Sequence, residues 1–239
     1  MIRFINGTDL WQFPSLAQSM FKDRTEQFRD RLGWPVEVDP NGFERDQYDR
    51  MNPLYAVVEG DNGEHLGSMR LMPTEGSTMI NDQFLMTLAG SAIRDRSIWE
   101  CTRFCISPRQ PRATSFKVLV AGAAFMQELR VKKLVAIFDA RMQRIYQRSG
   151  INSTVIGSHE YEYGEVSAGF WEFDDSIYRA LLRKSELDPL EVHLAIANLP
   201  SVIANLKRRR VFSSFDESSD RRPEPSDKQI ESQVFESEG

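Results

Sequence analysis

The sequence has little of what several protein classes require. No apolar run approaches the roughly 20 residues that cross a bilayer. We expect no signal peptide either, because Asp9 and Pro14 interrupt the first segment, Met1 to Met20. There is no P-loop and no G-x-G-x-x-G phosphate-binding sequence. The length of 239 residues predicts one globular domain, with or without an appendage.

Cysteine and histidine are also scarce. The two cysteines, Cys101 and Cys105, are too few for a disulfide scaffold, and we expect one extended strand to hold them too far apart to bond. A reducing cytoplasm is the expected compartment. The three histidines, His65, His159 and His193, are not spaced like paired metal ligands, so no metal site is predicted.

Charge is plentiful but unevenly distributed along the chain. Residues 103–148 carry ten basic and two acidic side chains, a net of +8, whereas residues 212–239 carry three and eight, a net of −5. Apolar residues also become sparse from Phe212 onward, where Ser, Glu, Asp and Pro dominate. We therefore predict a folded domain over residues 1–211 and an acidic, disordered tail over residues 212–239.

Hydrophobic periodicity and turn signals predict alternating helices and strands. Strands are expected at 54–59, 65–72, 97–106, 134–138, 153–157 and 166–173. Helices are expected at 15–32, 115–130, 140–149, 176–185 and 188–208, with short helical pieces within 82–89 and an ordered loop over 35–53. This order predicts an α/β protein, a three-layer α-β-α sandwich with a mixed sheet.

Six charged residues lie where apolar or turn residues would be less costly. They are Arg24 in the first helix, Asp46 and Asp49 in the ordered loop, and Arg70, Glu100 and Arg103 in strands. Three positive and three negative charges can share a low-dielectric pocket as a self-neutralising cluster. Ordinary surface charges, including a snorkelling Arg24, are the alternative. Glu100 and Arg103 face opposite sides of a regular strand, so a shared pocket requires a bulge or strong twist.

These residues carry a resemblance to a known family. The motifs are Arg24, Phe28, Leu32-Gly33-Trp34, Glu44-x-Asp46-x-Tyr48-Asp49, Gly67-x-x-Arg70-Leu71-x-Pro73-Thr74, Phe84 and Trp99-Glu100-x-x-Arg103-Phe104. In this order and spacing the sequence resembles the LuxI-type acyl-homoserine lactone synthases of bacterial quorum sensing. The resemblance runs from about Arg24 to Gly150, and the acidic tail is not part of it.

The resemblance implies a GNAT-like fold and a two-step reaction. Members join an acyl group, usually carried as a thioester on acyl carrier protein, to the amine of S-adenosylmethionine. The methionine carboxylate then closes the lactone and expels 5′-methylthioadenosine. S-adenosylmethionine is thus a substrate, and neither a cofactor nor a metal is implied.

The resemblance also implies roles for individual residues. A carboxylate such as Glu100 can accept the amine proton, directly or through a water. Asp46 and Asp49 can hold the ammonium, while Arg70 and Arg103 balance these carboxylates and can bind the substrate carboxylate. The remaining implied contacts to S-adenosylmethionine are Arg24 and the aromatic residues Phe28, Trp34, Phe84 and Phe104. For each aromatic residue, core packing is an equal alternative.

The acyl donor is expected to meet two further regions. Ala136 and Phe138 match the strand that faces the acyl group in the family, where threonine often accompanies a 3-oxo preference. Arg144 and Arg148 lie on one helix face with Arg141 and match residues implicated in docking acidic acyl carrier protein. The sequence leaves acyl-coenzyme A open as the donor.

Two other functions compete with this interpretation. An N-acetyltransferase that uses acetyl-coenzyme A is the first, although residues 107–114 lack the glycines of the usual pyrophosphate loop. A non-catalytic or nucleic-acid-binding protein built on the basic segment is the second, and it leaves the six charged residues unexplained. We therefore expect no nucleic-acid partner and no membrane span.

Overall fold

The computed structural model describes residues 1–204, and its centre is a seven-stranded mixed sheet. The strands are β1 (Ile2–Asn6), β2 (Leu54–Glu59), β3 (His65–Pro73), β4 (Ile98–Ile106), β5 (Lys133–Phe138), β6 (Thr154–Tyr161) and β7 (Gly164–Glu172). Their spatial order is β1-β2-β3-β4-β5-β7-β6. Only the β4–β5 pair is parallel in this sheet, which confirms the predicted mixed sheet.

Helices cover both faces of the sheet. They are α1 (Pro14–Arg24), the single turn α2 (Met79–Asp82), α3 (Ala113–Leu129), α4 (Ala140–Ser149), α5 (Asp175–Ser185) and α6 (Pro189–Ala197). Along β2, Leu54 and Ala56 pack towards α3, whereas Tyr55 and Val57 pack towards α1. Burial on both faces explains why β2 is apolar without alternation. The α-β-α sandwich is confirmed, and no helix within residues 1–204 is long and apolar enough to span a membrane.

The predicted elements differ from the structure at the N-terminus. Strand β1 was not predicted, because five residues directly before a 3-10 turn give little periodicity. The first helix leaves α-helical geometry at Arg24 and continues as a π-helix over Thr25–Arg31. Short π-helical turns occur frequently at functional sites. The predicted tail over residues 212–239 lies outside the described residues.

Strands β4 and β5 separate soon after they begin. They pair only from Ile98 opposite Lys133 to Glu100 opposite Val135. Beyond these pairs β4 continues beside β3, while β5 continues beside β7. A slot therefore opens in the sheet directly after Glu100, and both cavities described below have walls from these two strands.

Candidate functional site

The site begins at the end of α1, where Arg24 is buried. Its side chain is only 1% exposed. Arg24 Nε donates to Glu44 Oε2 at 2.5 Å, and the two terminal nitrogens donate to both Asp49 oxygens at 3.0 and 2.9 Å. A bidentate pair fixes both distance and orientation. Arg24 is thus a buried charge held by carboxylates, and the snorkelling alternative is wrong.

The ordered loop presents Asp46 and Asp49 through a short 3-10 turn, Gln47–Arg50. Asp46 accepts hydrogen bonds from the backbone N–H groups of Tyr48 and Asp49, and Asp49 accepts one from that of Asp46. This reciprocal capping box satisfies the free backbone donors of the turn. It also fixes the orientation of both carboxylates, whose oxygens accept further hydrogen bonds from Arg24 and Arg70.

Arg70 on β3 joins these two carboxylates from the sheet side. It donates to both oxygens of Asp46, at 2.9 Å for Nη2, and to Asp49 Oδ1 at 3.0 Å. Its Nε donates to Thr102 Oγ1 on β4 at 3.0 Å. Arg70 is completely buried, so its charge depends on these partners.

Arg103 reaches the same cluster because β4 carries a bulge. The register between β3 and β4 shifts between Ser68 and Arg70, and Arg103 has a φ of 52°. This left-handed geometry is uncommon for residues with a side chain. Arg103 Nη2 consequently lies 2.9 Å from Glu44 Oε1 and 2.8 Å from Asp46 Oδ2. The bulge that a shared face of Glu100 and Arg103 requires is present, but it lies at Arg103 itself, between Thr102 and Cys105, and not between Glu100 and Arg103.

The buried cluster therefore joins three arginines to Glu44, Asp46 and Asp49. The predicted number of charges, three positive and three negative, is confirmed. The identity of the third carboxylate is different: Glu44, and not Glu100, forms ion pairs with the arginines. Glu44 belongs to the recognised Glu44-x-Asp46 motif, yet it was given no role. It is fully buried between Arg24 and Arg103.

Electrostatics in this cluster favour the ionised forms. Burial by itself would raise the pKa of Asp49, but the charges of Arg24 and Arg70 outweigh it and hold the pKa far below its usual range. Burial likewise opposes the charged form of Arg70, whereas Asp49 and Asp46 raise its pKa. Asp49 and Arg70 are thus both charged at neutral pH, and each stabilises the other.

Glu100 lies beside the cluster in a different environment. It is completely buried, and its oxygens accept the backbone N–H groups of Met79 at 3.1 Å and Ile80 at 2.5 Å. Burial raises its pKa to about 7, although these hydrogen bonds and the charge of Arg70 act in the opposite direction. A carboxyl group with such a pKa is suited to exchange protons at neutral pH.

A cavity of about 380 Å³ opens in front of the cluster. Asp46 and Arg103 are in its wall, whereas Arg24, Asp49, Arg70 and Glu100 lie behind it. Its other ionisable lining residues are Glu37, Asp139, Arg141, Glu165 and Tyr163. Four carboxylates against two guanidinium groups give the wall an excess of negative charge, which favours a cationic ligand.

Aromatic side chains also line this cavity. Trp34 and Phe84 are in the wall with Tyr163. Phe28 stands behind Trp34, with the ring centroids 5.4 Å apart and an interplanar angle of 3°, and the Arg103 guanidinium lies over Phe28 at 5.6 Å. Flat rings beside an acidic wall can stack on a heteroaromatic ligand or contact a cation.

A second, apolar cavity of about 60 Å³ lies on the other face of the sheet. Phe104 lines this cavity and not the larger one, because the bulge at Arg103 turns the next side chain to the face that α3 covers. The structure therefore separates Phe104 from the other aromatic residues predicted to contact S-adenosylmethionine. Neither residue of the predicted acyl pocket lines this apolar cavity, because Ala136 is buried in the core and Phe138 lines the larger cavity.

The basic residues predicted for docking lie on the surface of α4. Arg144 and Arg148 are exposed, and neither makes an ion pair with any described residue. Arg141, on the same helix, reaches the wall of the larger cavity. We call Arg141, Arg144 and Arg148 the basic face. It carries positive charge along the surface of α4 and meets the larger cavity at Arg141.

Comparison with known proteins decides the family. The family model described as autoinducer synthase matches residues 12–180. The chain belongs to this family. An acyl-homoserine-lactone synthase from Rhizobium etli is 34% identical over 179 residues, which cover 72% of this chain and 84% of the relative. This autoinducer synthase is an acyltransferase that makes an acyl-homoserine lactone from S-adenosylmethionine and an acyl donor.

Solved structures agree with the fold of the synthase. The acyl-homoserine lactone synthase LasI has a TM-score of 0.66 at 24% identity, covering 79% of this chain and 97% of LasI. The CoA-dependent synthase BjaI, solved with SAM and isopentyl-CoA, has a TM-score of 0.70 at 21% identity, covering 78% and 90%. A protein described as an N-acetyltransferase from Lactobacillus plantarum has a TM-score of 0.50 at 13% identity, covering 72% and 99%. The GNAT-like fold is thereby confirmed.

Proposed function

We propose that the synthase N-acylates S-adenosylmethionine with an acyl group from acyl carrier protein and then closes the lactone. One observation carries this proposal. The larger cavity, whose wall has an excess of carboxylates, and the apolar cavity lie on opposite faces of the sheet, at the slot where β4 and β5 separate. A thioester in that slot has its carbonyl near Arg103 and its acyl chain among apolar side chains.

The larger cavity suits S-adenosylmethionine. The excess of carboxylates in its wall favours the sulfonium and ammonium charges of this substrate. Trp34 and Phe84 offer rings for the adenine, and Asp46 offers a carboxylate for the ammonium. Arg103 is the cluster's arginine in the wall, so we assign the substrate carboxylate to it.

Acylation needs a neutral amine, and Glu100 is the proposed proton acceptor. Because Glu100 lies behind Met79, the proton passes through a water to its carboxylate. The amine nitrogen attacks the thioester carbonyl, the C–N bond forms and the C–S bond breaks, and the second amine proton passes to the thiolate, which leaves as the thiol. The methionine carboxylate then attacks the γ-carbon, and the breaking C–S bond releases 5′-methylthioadenosine. Holding these atoms in line is the main contribution to the second step.

The rate of acylation should rise with pH through the pKa of Glu100. Burial raises this pKa to about 7, whereas an exposed glutamate ionises near about 4.3. Since the base acts only when ionised, kcat should fall below pH ~7 and level off above it. Measuring kcat against pH with saturating substrates checks this, and a flat profile down to pH ~5 would remove Glu100 as the base.

The basic face is the proposed dock for the acidic carrier protein. Reversing charge with Arg144→Glu and Arg148→Glu should raise KM for acyl carrier protein by about tenfold or more and leave kcat nearly unchanged, because a rim charge acts mainly on encounter. Arg183→Glu is the matched control, because Arg183 is an exposed arginine on α5 that makes no ion pair with any described residue. The KM for the corresponding acyl-coenzyme A should stay the same in all three variants.

The choice of donor is tested by direct comparison. Steady-state kcat/KM is measured with one acyl group carried on acyl carrier protein and on coenzyme A. A higher value for the carrier protein, lost in the two charge-reversal variants, is expected. A higher kcat/KM for the acyl-coenzyme A, unchanged in the Arg144 and Arg148 variants, would indicate that the synthase is CoA-dependent, as BjaI is described to be.

A further inference from the structure

Helix α3 contains a glycine that its backbone does not require. Gly122 lies in the middle of Ala113–Leu129, and its φ is not positive. Glycine is the poorest helix former after proline, so a mid-helix glycine calls for a packing reason. That reason is space: a Cβ at position 122 would lie 3.1 Å from Met69 Cε and 3.2 Å from Met69 Sδ.

Gly122 and Met69 both line the apolar cavity. Leu134 lines it too, and its Cδ1 would lie 4.0 Å from the same Cβ. The cavity measures only about 60 Å³, so its volume is sensitive to where the end of Met69 lies. The missing side chain of Gly122 therefore leaves room for the end of Met69 between α3 and the sheet, beside the cavity.

We propose that Gly122 is a specificity-determining residue that sets the longest acyl chain the synthase accepts. The proposal rests on the proposed function, in which the apolar cavity receives the acyl chain. Substituents at position 122 and the end of Met69 compete with the chain for the same volume. A packed site discriminates steeply, since each methylene that no longer fits costs about 10–200-fold in kcat/KM.

The test is the donor-length profile of Gly122→Ala and Met69→Ala in the full chain, with acyl carrier protein loaded from butanoyl to tetradecanoyl. Gly122→Ala should lower kcat/KM at least about tenfold more for the longest donor used well by the wild type than for the butanoyl donor. Met69→Ala should shift the profile towards longer donors. Alanine is a better helix former than glycine, so the first variant retains its helix.

The possible outcomes separate the two proposals. A uniform loss with all donors, or identical profiles in wild type and both variants, would overturn the role of Gly122 while leaving the proposed function intact. Absence of lactone with every donor in the wild type would overturn both. Melting temperatures of the three proteins, measured in parallel, identify a loss of rate that comes from instability.

Discussion

Replacing Glu100 by glutamine should lower kcat by about 10²–10⁴-fold, the usual contribution of a positioned general base. The amide has the same shape but takes no proton at neutral pH. The backbone N–H groups of Met79 and Ile80 donate to different oxygens of Glu100, so the amide oxygen keeps one of these hydrogen bonds and the other is lost, at a cost of about 1–3 kcal/mol. The fold should survive this loss, and KM for S-adenosylmethionine should change little, because Glu100 lies behind the cavity wall.

The control for this variant is Glu128→Gln on α3. Its side chain is exposed, lies outside the charged cluster and lines neither cavity. Wild-type rates are expected for the control, with both proteins measured by release of 5′-methylthioadenosine. Two results would assign the proton transfer to another group: turnover by Glu100→Gln within threefold of wild type, or a kcat of this variant that still falls below pH ~7.

Removing Arg70 should cost about 3–5 kcal/mol of unfolding free energy, the typical result of leaving a buried carboxylate without its partner. Arg70→Met keeps much of the side-chain length and leaves Asp46 and Asp49 with fewer positive neighbours. For a chain of this size the melting temperature should fall by about 6–20 °C. Thermal unfolding followed by circular dichroism measures it.

The pH dependence of this loss identifies its electrostatic origin. Burial opposes ionisation of Asp49, but Arg24 and Arg70 lower the pKa of its carboxyl group below the pKa it has in the unfolded chain. The two arginines therefore stabilise the fold at pH values above the unfolded-state pKa, and this stabilisation disappears as the pH falls. The gap between wild type and Arg70→Met should therefore narrow below pH ~4. Arg179→Met, on the exposed surface of α5, should unfold like the wild type. A gap that is constant with pH would indicate lost packing instead.

Much of the architecture was predictable because each signal was local. The strand at 54–59 agrees with β2 and the helix at 140–149 with α4, since turn residues and caps mark their ends. Arg24 and Arg70 were recognisable as unusual because they interrupt apolar patterns. Strand β1 was missed because its stabilisation comes from pairing with β2, about fifty residues away.

The detailed partners in the charged cluster depended on tertiary geometry. Glu44 lies in a loop that carries other charges, so its sequence context gives no sign that it is buried. The bulge was inferred, but its effect on Phe104 was not: once Arg103 turns to the loop side, Phe104 must face α3. Gly122 was also overlooked, because one glycine in an apolar helix has meaning only when Met69 is known to face it.

The most direct test of the account is a product analysis with the purified chain, S-adenosylmethionine and hexanoyl-acyl carrier protein. Mass spectrometry should find 5′-methylthioadenosine and N-hexanoyl-homoserine lactone in equal amounts, both absent when the acyl donor is omitted. Methylthioadenosine release that does not depend on the donor, or an acylated product that never forms the lactone, would contradict the proposed division of the reaction between the two cavities.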